Sequence, residues 1–186
     1  MNPAAALRRT PLALTAASIA AFALVAWRLD PELVRGGPRP EPLGEPDRSA
    51  VEGTVRAFQR YWEDLFASGG IPTLIDELPG SPEVRHQIFR DLGFLSDEGL
   101  VLVQDLASLQ VRALERTGPR TAEAVVAEEW NFTYQRAADR KPLTKVRGLS
   151  VGMRYSLEKR RDGVWWVTGW KSEPSAASIP SREFTW

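Results

Sequence analysis

Apolar residues recur at two different spacings along this chain, and the change from one to the other divides it. Val51, Val55, Phe58, Trp62, Leu65 and Phe66 follow helical spacing, with Ser49 and Glu52 as a capping box and Gly69 and Gly70 as a stop. They predict a first long helix. Ser81, Pro82 and Glu83 open a second, striped by Val84, Ile88, Phe89 and Leu92 and ended by Gly93. A short helical piece is expected between them over 73–78. Beyond Gly99 the spacing moves to two, and turn signals at Gly118-Pro119, over 138–142 and at Asp162-Gly163 separate four strands. These are placed at 106–116, 121–135, 146–160 and 164–171, the last two joined by a type I′ hairpin at Asp162-Gly163. Helices followed by long antiparallel strands predict an α+β domain over 48–173, with two or three helices packed on a curved four-stranded antiparallel sheet.

The flanks read differently. From Leu12 to Trp27 run 16 residues without a formal charge, preceded by Arg8 and Arg9 and followed by Arg28. As a helix they span ~24 Å, close to a hydrocarbon core once Arg28 snorkels. Residues 1–29 are therefore expected to be a membrane anchor or a signal peptide. Cleavage after Ala23 would leave an apolar LVAW end, which favours the retained anchor. The positive flank stays cytoplasmic, so this reading gives a single-pass protein of an inner or thylakoid membrane whose domain faces the periplasm or lumen. Residues 30–47 form a linker, with five prolines and three glycines over 31–46. Residues 174–186 are rich in Ser, Ala and Pro and read as a flexible tail.

Composition narrows the function classes. The 186 residues are 43% hydrophobic and include seven Trp, enough for a packed core. The absence of Cys excludes disulfides, thiolate metal sites and a cysteine nucleophile, and a single His is too few for most His-based metal sites. Residues 30–186 carry 21 of the 24 basic side chains and all 24 acidic ones. A weakly acidic body without a dense basic stripe argues against nucleic acid as a partner. The short run Lys159, Arg160, Arg161 reads as a solvated strand end. No phosphate loop, nucleophile elbow or metal-ligand spacing occurs, and no cofactor is implied.

The first helix with Tyr61 and Trp62, the strand TAEAVVAEEWNFTYQ and the closing hairpin VGMRYSLEKRRDGVWWVTGW together resemble the nuclear-transport-factor-2-like, or SnoaL-like, superfamily. The ending, with Arg154, Tyr155, Asp162, Gly163 and Trp165 or Trp166, is similar to the intermembrane-space domain of chloroplast and cyanobacterial division proteins. One membrane segment before such a domain also resembles scaffold subunits of type IV secretion systems and Mce-associated proteins. The resemblance implies a conical pocket between helices and sheet, used by some relatives for catalysis on small hydrophobic substrates. It also implies that membrane-tethered members are mostly non-catalytic assembly partners.

Alternation along the strand over 121–135 puts Ala122, Ala124, Val126, Glu128, Trp130, Phe132 and Tyr134 on the inner face. Glu128 is thus a carboxylate in an apolar stripe, where burial would raise its pKa as a general base requires. The structural alternative pairs it with Arg112 or Arg154. The isomerase and dehydratase relatives need a polarising Tyr or His beside such an acid, which makes Tyr61 and Tyr155 the accompanying catalytic candidates, with Tyr134 and His86 behind them. His86 lies one position off its helical stripe, as a surface residue does. Trp165 and Trp166 are adjacent on a strand and must point to opposite faces, and Trp170 shares the parity of Trp166. Trp165, Trp166 and Trp170 are accordingly the expected interaction residues. The sequon Asn131, Phe132, Thr133 falls within a strand and is read as chance. Two functions follow: a non-catalytic scaffold whose partners are the membrane, other envelope proteins and a second copy of the chain, or a binder or isomerase-like enzyme of small hydrophobic molecules. Either carries the same domain.

Overall fold

The computed structural model describes residues 41–173. The apolar segment over 12–27, the linker up to residue 40 and the tail over 174–186 lie outside the described residues. Among the described residues no helix is long and apolar enough to cross a membrane.

The elements run β1 (Glu41–Pro42), α1 (Asp47–Ser68), α2 (Pro72–Glu77), α3 (Pro82–Asp97), β2 (Leu100–Gly118), β3 (Thr121–Arg136), β4 (Pro142–Lys159) and β5 (Trp165–Ser172). The sheet has five strands rather than four, in the order β1-β2-β3-β4-β5, each antiparallel to its neighbour. The added strand is the two-residue β1, which pairs Glu41 with Arg116 and Pro42 with Glu115 at the sheet's edge, inside the segment expected to be linker.

Helix α1 begins at Asp47 with Pro46 at its N-cap, so Ser49 and Glu52 sit inside the helix and form no capping box. Asp47 supplies the negative charge that the exposed N–H groups of the first turn favour. The helix ends as expected: Gly69 adopts φ +77°, and the N–H groups of Gly69 and Gly70 donate to the carbonyls of Phe66 and Leu65. In α3, Ser81 accepts from the Val84 N–H at 3.3 Å and Pro82 occupies the first turn, as its sequence predicts. Gly93 does not stop this helix. Its stripe continues through Leu92 to Leu95, both buried, and burying that second turn outweighs the ~1 kcal/mol that an interior glycine costs.

Strand β2 starts six residues earlier than its alternation indicates, because Val101, Leu102 and Gln104 are buried and pair along the end of β3. Its register against β3 shifts at Leu106/Ser108, Val111/Ala113 and Arg116/Gly118. Each bulge increases local twist, and three in one hairpin curl the sheet around α1. The β4–β5 connection is also not the two-residue turn expected. Gly163 N–H donates to the Arg160 carbonyl, Gly163 takes φ +86°, and Arg160 N–H pairs with the Val164 carbonyl. This is a three-residue loop built on a type I turn with glycine in the left-handed position, so only Gly163 needs positive φ. The core packs Val51, Val55, Phe58, Leu65 and Phe66 of α1 and Val84, Ile88 and Leu92 of α3 against Ala122, Ala124, Val126, Tyr155, Leu157, Trp165 and Val167 of the sheet.

Candidate functional site

The inner face of β3 is the one that alternation predicts: Ala122, Ala124, Val126, Glu128 and Trp130 are all buried. Glu128 is 3% exposed and lies near the middle of the strand, beneath α1. Three neutral donors converge on it. Gln59 Nε2 and the Tyr155 hydroxyl each donate to Oε1 at 2.7 Å, and Trp130 Nε1 donates to Oε2 at 2.8 Å. Gln59 Nε2 also makes a short contact with the Tyr155 hydroxyl. The partners come from α1, β3 and β4, so the carboxylate joins three elements.

Neither expected arginine reaches it. Arg154 lies on the outer face, bonded to Glu123 at 2.6 Å and Glu173 at 2.5 Å. Glu128 is instead met by dipoles alone. Removal from water raises its pKa, and the three donated hydrogen bonds offset part of that rise. Tyr155 is wholly buried, and desolvation together with the neighbouring carboxylate pushes its hydroxyl well above the usual range. It therefore stays a proton donor to Glu128.

An aromatic lid closes the same side. The Phe58 ring stands 5.7 Å from Trp62, 6.0 Å from Tyr155 and 5.9 Å from Trp170, and Trp62 meets Trp170 edge-on at 5.2 Å. Trp62 also stacks on Phe66 at 5.2 Å. Trp170 thus lies on the inner face, against the expectation that it continues the face of Trp166. The cause is a register shift: Leu157 pairs with Val167 but Ser156 with Gly169, so one residue is skipped and the parity of β5 inverts beyond it. Trp165 is 2% exposed. Of the three expected interaction residues only Trp166 remains on the outer face, below the Arg160 guanidinium at 5.3 Å.

The other candidates are dispersed. The Tyr61 hydroxyl faces Glu77 of α2 at 3.4 Å, and His86 is exposed on α3. Tyr134 is partly buried beside Phe132, toward the end of β3. Only Glu128 and Tyr155 are brought together. Gln59, which completes their cluster, escaped sequence reasoning although it carries a signal: it is a polar residue four positions after Val55 on the apolar stripe of α1.

Glu128 lines neither of the two best-formed hollows among the described residues. One, of about 200 Å³, lies between the ends of α1 and α3 and the start of β2, lined by Phe66, Leu92, Leu95, Leu100 and Val101 with Arg140 at its edge. It is smaller than the ~300–1,000 Å³ usual for ligand sites. The other, of about 550 Å³, is a groove on the outer side of the β4–β5 hairpin. Among the described residues no group of three or more His, Cys, Asp or Glu side chains is placed to hold a metal ion.

No protein-family model matches the chain, and no curated protein matches it by sequence. Among solved structures it is similar to the intermembrane space region of the chloroplast protein ARC6, at 15% identity and a TM-score of 0.56, over 73% of this chain and 98% of that one. A ketosteroid isomerase-like protein from Erwinia carotovora atroseptica aligns at 13% identity and a TM-score of 0.46, over 69% and 96%. The first likeness shows that the chain shares the fold of an intermembrane-space domain, the kind of domain its closing hairpin resembles.

Proposed function

We propose that this chain is a membrane-tethered, extracytoplasmic protein-interaction module of an envelope assembly, and that it is not an enzyme. The observation that carries the reading is the closed cone. Both oxygens of Glu128 accept protein donors at 2.7–2.8 Å, and Phe58, Trp62 and Trp170 pack over that region of the core. A general base needs a free lone pair within ~3 Å of a substrate proton. Three of its four lone-pair directions are taken by Gln59, Tyr155 and Trp130, and neither hollow described above reaches the fourth, which supports a structural role for the group that most resembles a catalyst.

The tether is inferred from the apolar run over 12–27 and its arginine flanks. The similarity in fold to the intermembrane space region of ARC6 supports the extracytoplasmic placement. For contacts with other proteins the domain offers α3, where Phe89 and Phe94 are 59% and 55% exposed. Aromatic side chains are enriched at protein interfaces, which favours this helix as a contact surface.

The test is chemical crosslinking of the full chain in membranes of the producing organism, beside a Phe89→Ser/Phe94→Ser variant whose melting temperature is unchanged. One discrete crosslinked species, lost in the variant, is expected. The reading is overturned if the chain crosslinks to nothing while small hydrophobic molecules raise its melting temperature in a manner that Glu128→Gln abolishes.

A further inference from the structure

The sheet has two edges, and the chain covers them differently. At the first, the entering chain pairs as β1 with Glu115 and Arg116 of β2, and Asp47 just beyond it accepts from Lys159 Nζ at 2.7 Å, Arg116 at 3.0 Å and Trp165 Nε1 at 3.3 Å. At the second, β5 is shorter than its neighbour. It pairs with β4 from Lys159 back to Met153, and a last bond runs from the Glu173 N–H to the Gly152 carbonyl at 2.8 Å. Strand β4 continues to Pro142 paired with β3, and among the described residues no strand lies against its other side over 142–151. Such an edge offers its free N–H and C=O groups to any extended segment.

Glu173 fixes where the following residues lead. Because β5 runs antiparallel to β4, extending it carries the chain along β4 from Val151 towards Pro142. The Glu173 N–H points at β4, so in a continued strand the N–H groups of Ser175, Ala177 and Ile179 point there too, and those of even positions point away. Proline has no N–H to give and sits in a strand where that side faces solvent. Both prolines of this stretch, Pro174 and Pro180, fall at even positions. The side chains suit the same register. Ser172 faces Met153, so Pro174 would face Val151 and Ala176 would face Leu149. Between Leu149 and Val146, β4 carries one extra residue where it bulges against β3, which brings Ser178 opposite Val146. Val151, Leu149 and Val146 are half-buried on the inner face, paired with Glu128, Trp130 and Phe132.

We propose that residues 174–180 extend β5 along the free edge of β4 as a strap. It closes the edge within one chain and lays small, uncharged side chains over Val151, Leu149 and Val146. It also bars the edge to strands of other chains, which must displace it in order to pair. The strap stands independently of the membrane tether.

The test uses the absence of cysteine. In the continued register Ile179 faces the exposed Lys145, ~21 Å along the edge from Gly152. Gln110, exposed and in line with Ala127 and Gly152 across the sheet, is three strand spacings, ~14 Å, from Glu173. Six residues held by nothing have a root-mean-square reach of ~13 Å and so meet Gln110 more often than Lys145. Full-length Ile179→Cys/Lys145→Cys and Ile179→Cys/Gln110→Cys chains are equilibrated in detergent with a glutathione redox buffer, and the fraction oxidised gives an effective concentration for each pair. The Lys145 pair is expected to exceed the Gln110 pair about tenfold. Adding Ala177→Pro, which puts a proline where an N–H should reach β4, should lower it about fivefold, while Ser178→Pro leaves it unchanged. A value for the Gln110 pair equal to or above that of the Lys145 pair overturns the strap, as does the same response to both prolines. A disulfide joining two chains instead of closing one gives the edge to a second copy and overturns it as well.

Discussion

Replacing Tyr155 by Phe isolates what the buried cluster contributes. The ring, fully buried against Phe58, is kept, so no large cavity opens and the perturbation is one hydroxyl. That hydroxyl donates to Glu128 Oε1 at 2.7 Å. A hydrogen bond to a charged group is worth ~1.5–3 kcal/mol and one between neutral groups ~0.5–1.5 kcal/mol. The loss therefore depends on whether Glu128 is ionised. Its folded pKa is raised by burial above 4.5. The native state then holds the proton more tightly than the unfolded chain, and this group's contribution is greatest below 4.5 and declines as pH rises through the folded value. At a pH below 4.5 the substitution should cost ~1 kcal/mol, and at a pH above the folded value, where the lost donor serves a carboxylate, ~2–3 kcal/mol. For a domain of this size each kcal/mol moves the melting temperature by roughly 3–6 °C. Thermal unfolding of the full chain in detergent, followed by circular dichroism at both pH values, should give a decrease several degrees larger at the higher pH. Pairing the variant with Glu128→Gln in a double-mutant cycle should return a coupling of ~1–2 kcal/mol. Equal losses at the two pH values, or a coupling near zero, would refute the account of Glu128 as a dipole-held buried acid.

Trp170→Ala removes the indole that Phe58 and Trp62 both contact, and a loss of about 3 kcal/mol should appear as a lower urea midpoint. An unchanged midpoint would mean that the lid is not part of the core. Asp47→Asn weakens the bonds to Lys159 and Arg116, which hold the carboxyl below its usual 3.8, Lys159 foremost. Its melting temperature should drop at neutral pH, and the difference from the parent should vanish as acid carries the pH below that folded value; a difference that persists in acid contradicts the assignment. Gly163→Ala forces a Cβ into φ +86° at the hairpin loop and should cost ~1–2 kcal/mol although no atom obstructs it, which chemical denaturation would register. A neutral result would show that the loop relaxes to another turn.

The sequence made the regular parts legible and the irregular parts not. Alternation gave the inner face of β3 from Ala122 to Trp130, because that strand keeps its register over this stretch, and Ser81 with Pro82 announced α3 through capping chemistry that is local. Trp170 was misplaced because a period-two rule counts residues, while the bulge at Thr168, two positions before it, is set by pairing with β4. Gly93 read as a stop because propensity is intrinsic, whereas Leu95 is held by packing that no local rule contains. The site followed the same division. Glu128 and Tyr155 could each be named from strand parity and the closing hairpin, but not that they share a hydrogen bond with each other and with Gln59, which is 69 residues from Glu128 in the chain.

The clamp on Asp47 also has a mechanical side. A pull on the segment preceding residue 41 enters the domain through β1, where Leu43 N–H holds the Leu114 carbonyl at 3.2 Å and the Leu43 side chain is buried. Four residues further on, the load meets Asp47 and divides among Arg116 of β2, Lys159 of β4 and Trp165 of β5. Three strands then resist together. A domain leashed at a single edge strand would unzip one hydrogen bond at a time, but here tension is spread across the sheet before it can unwind α1.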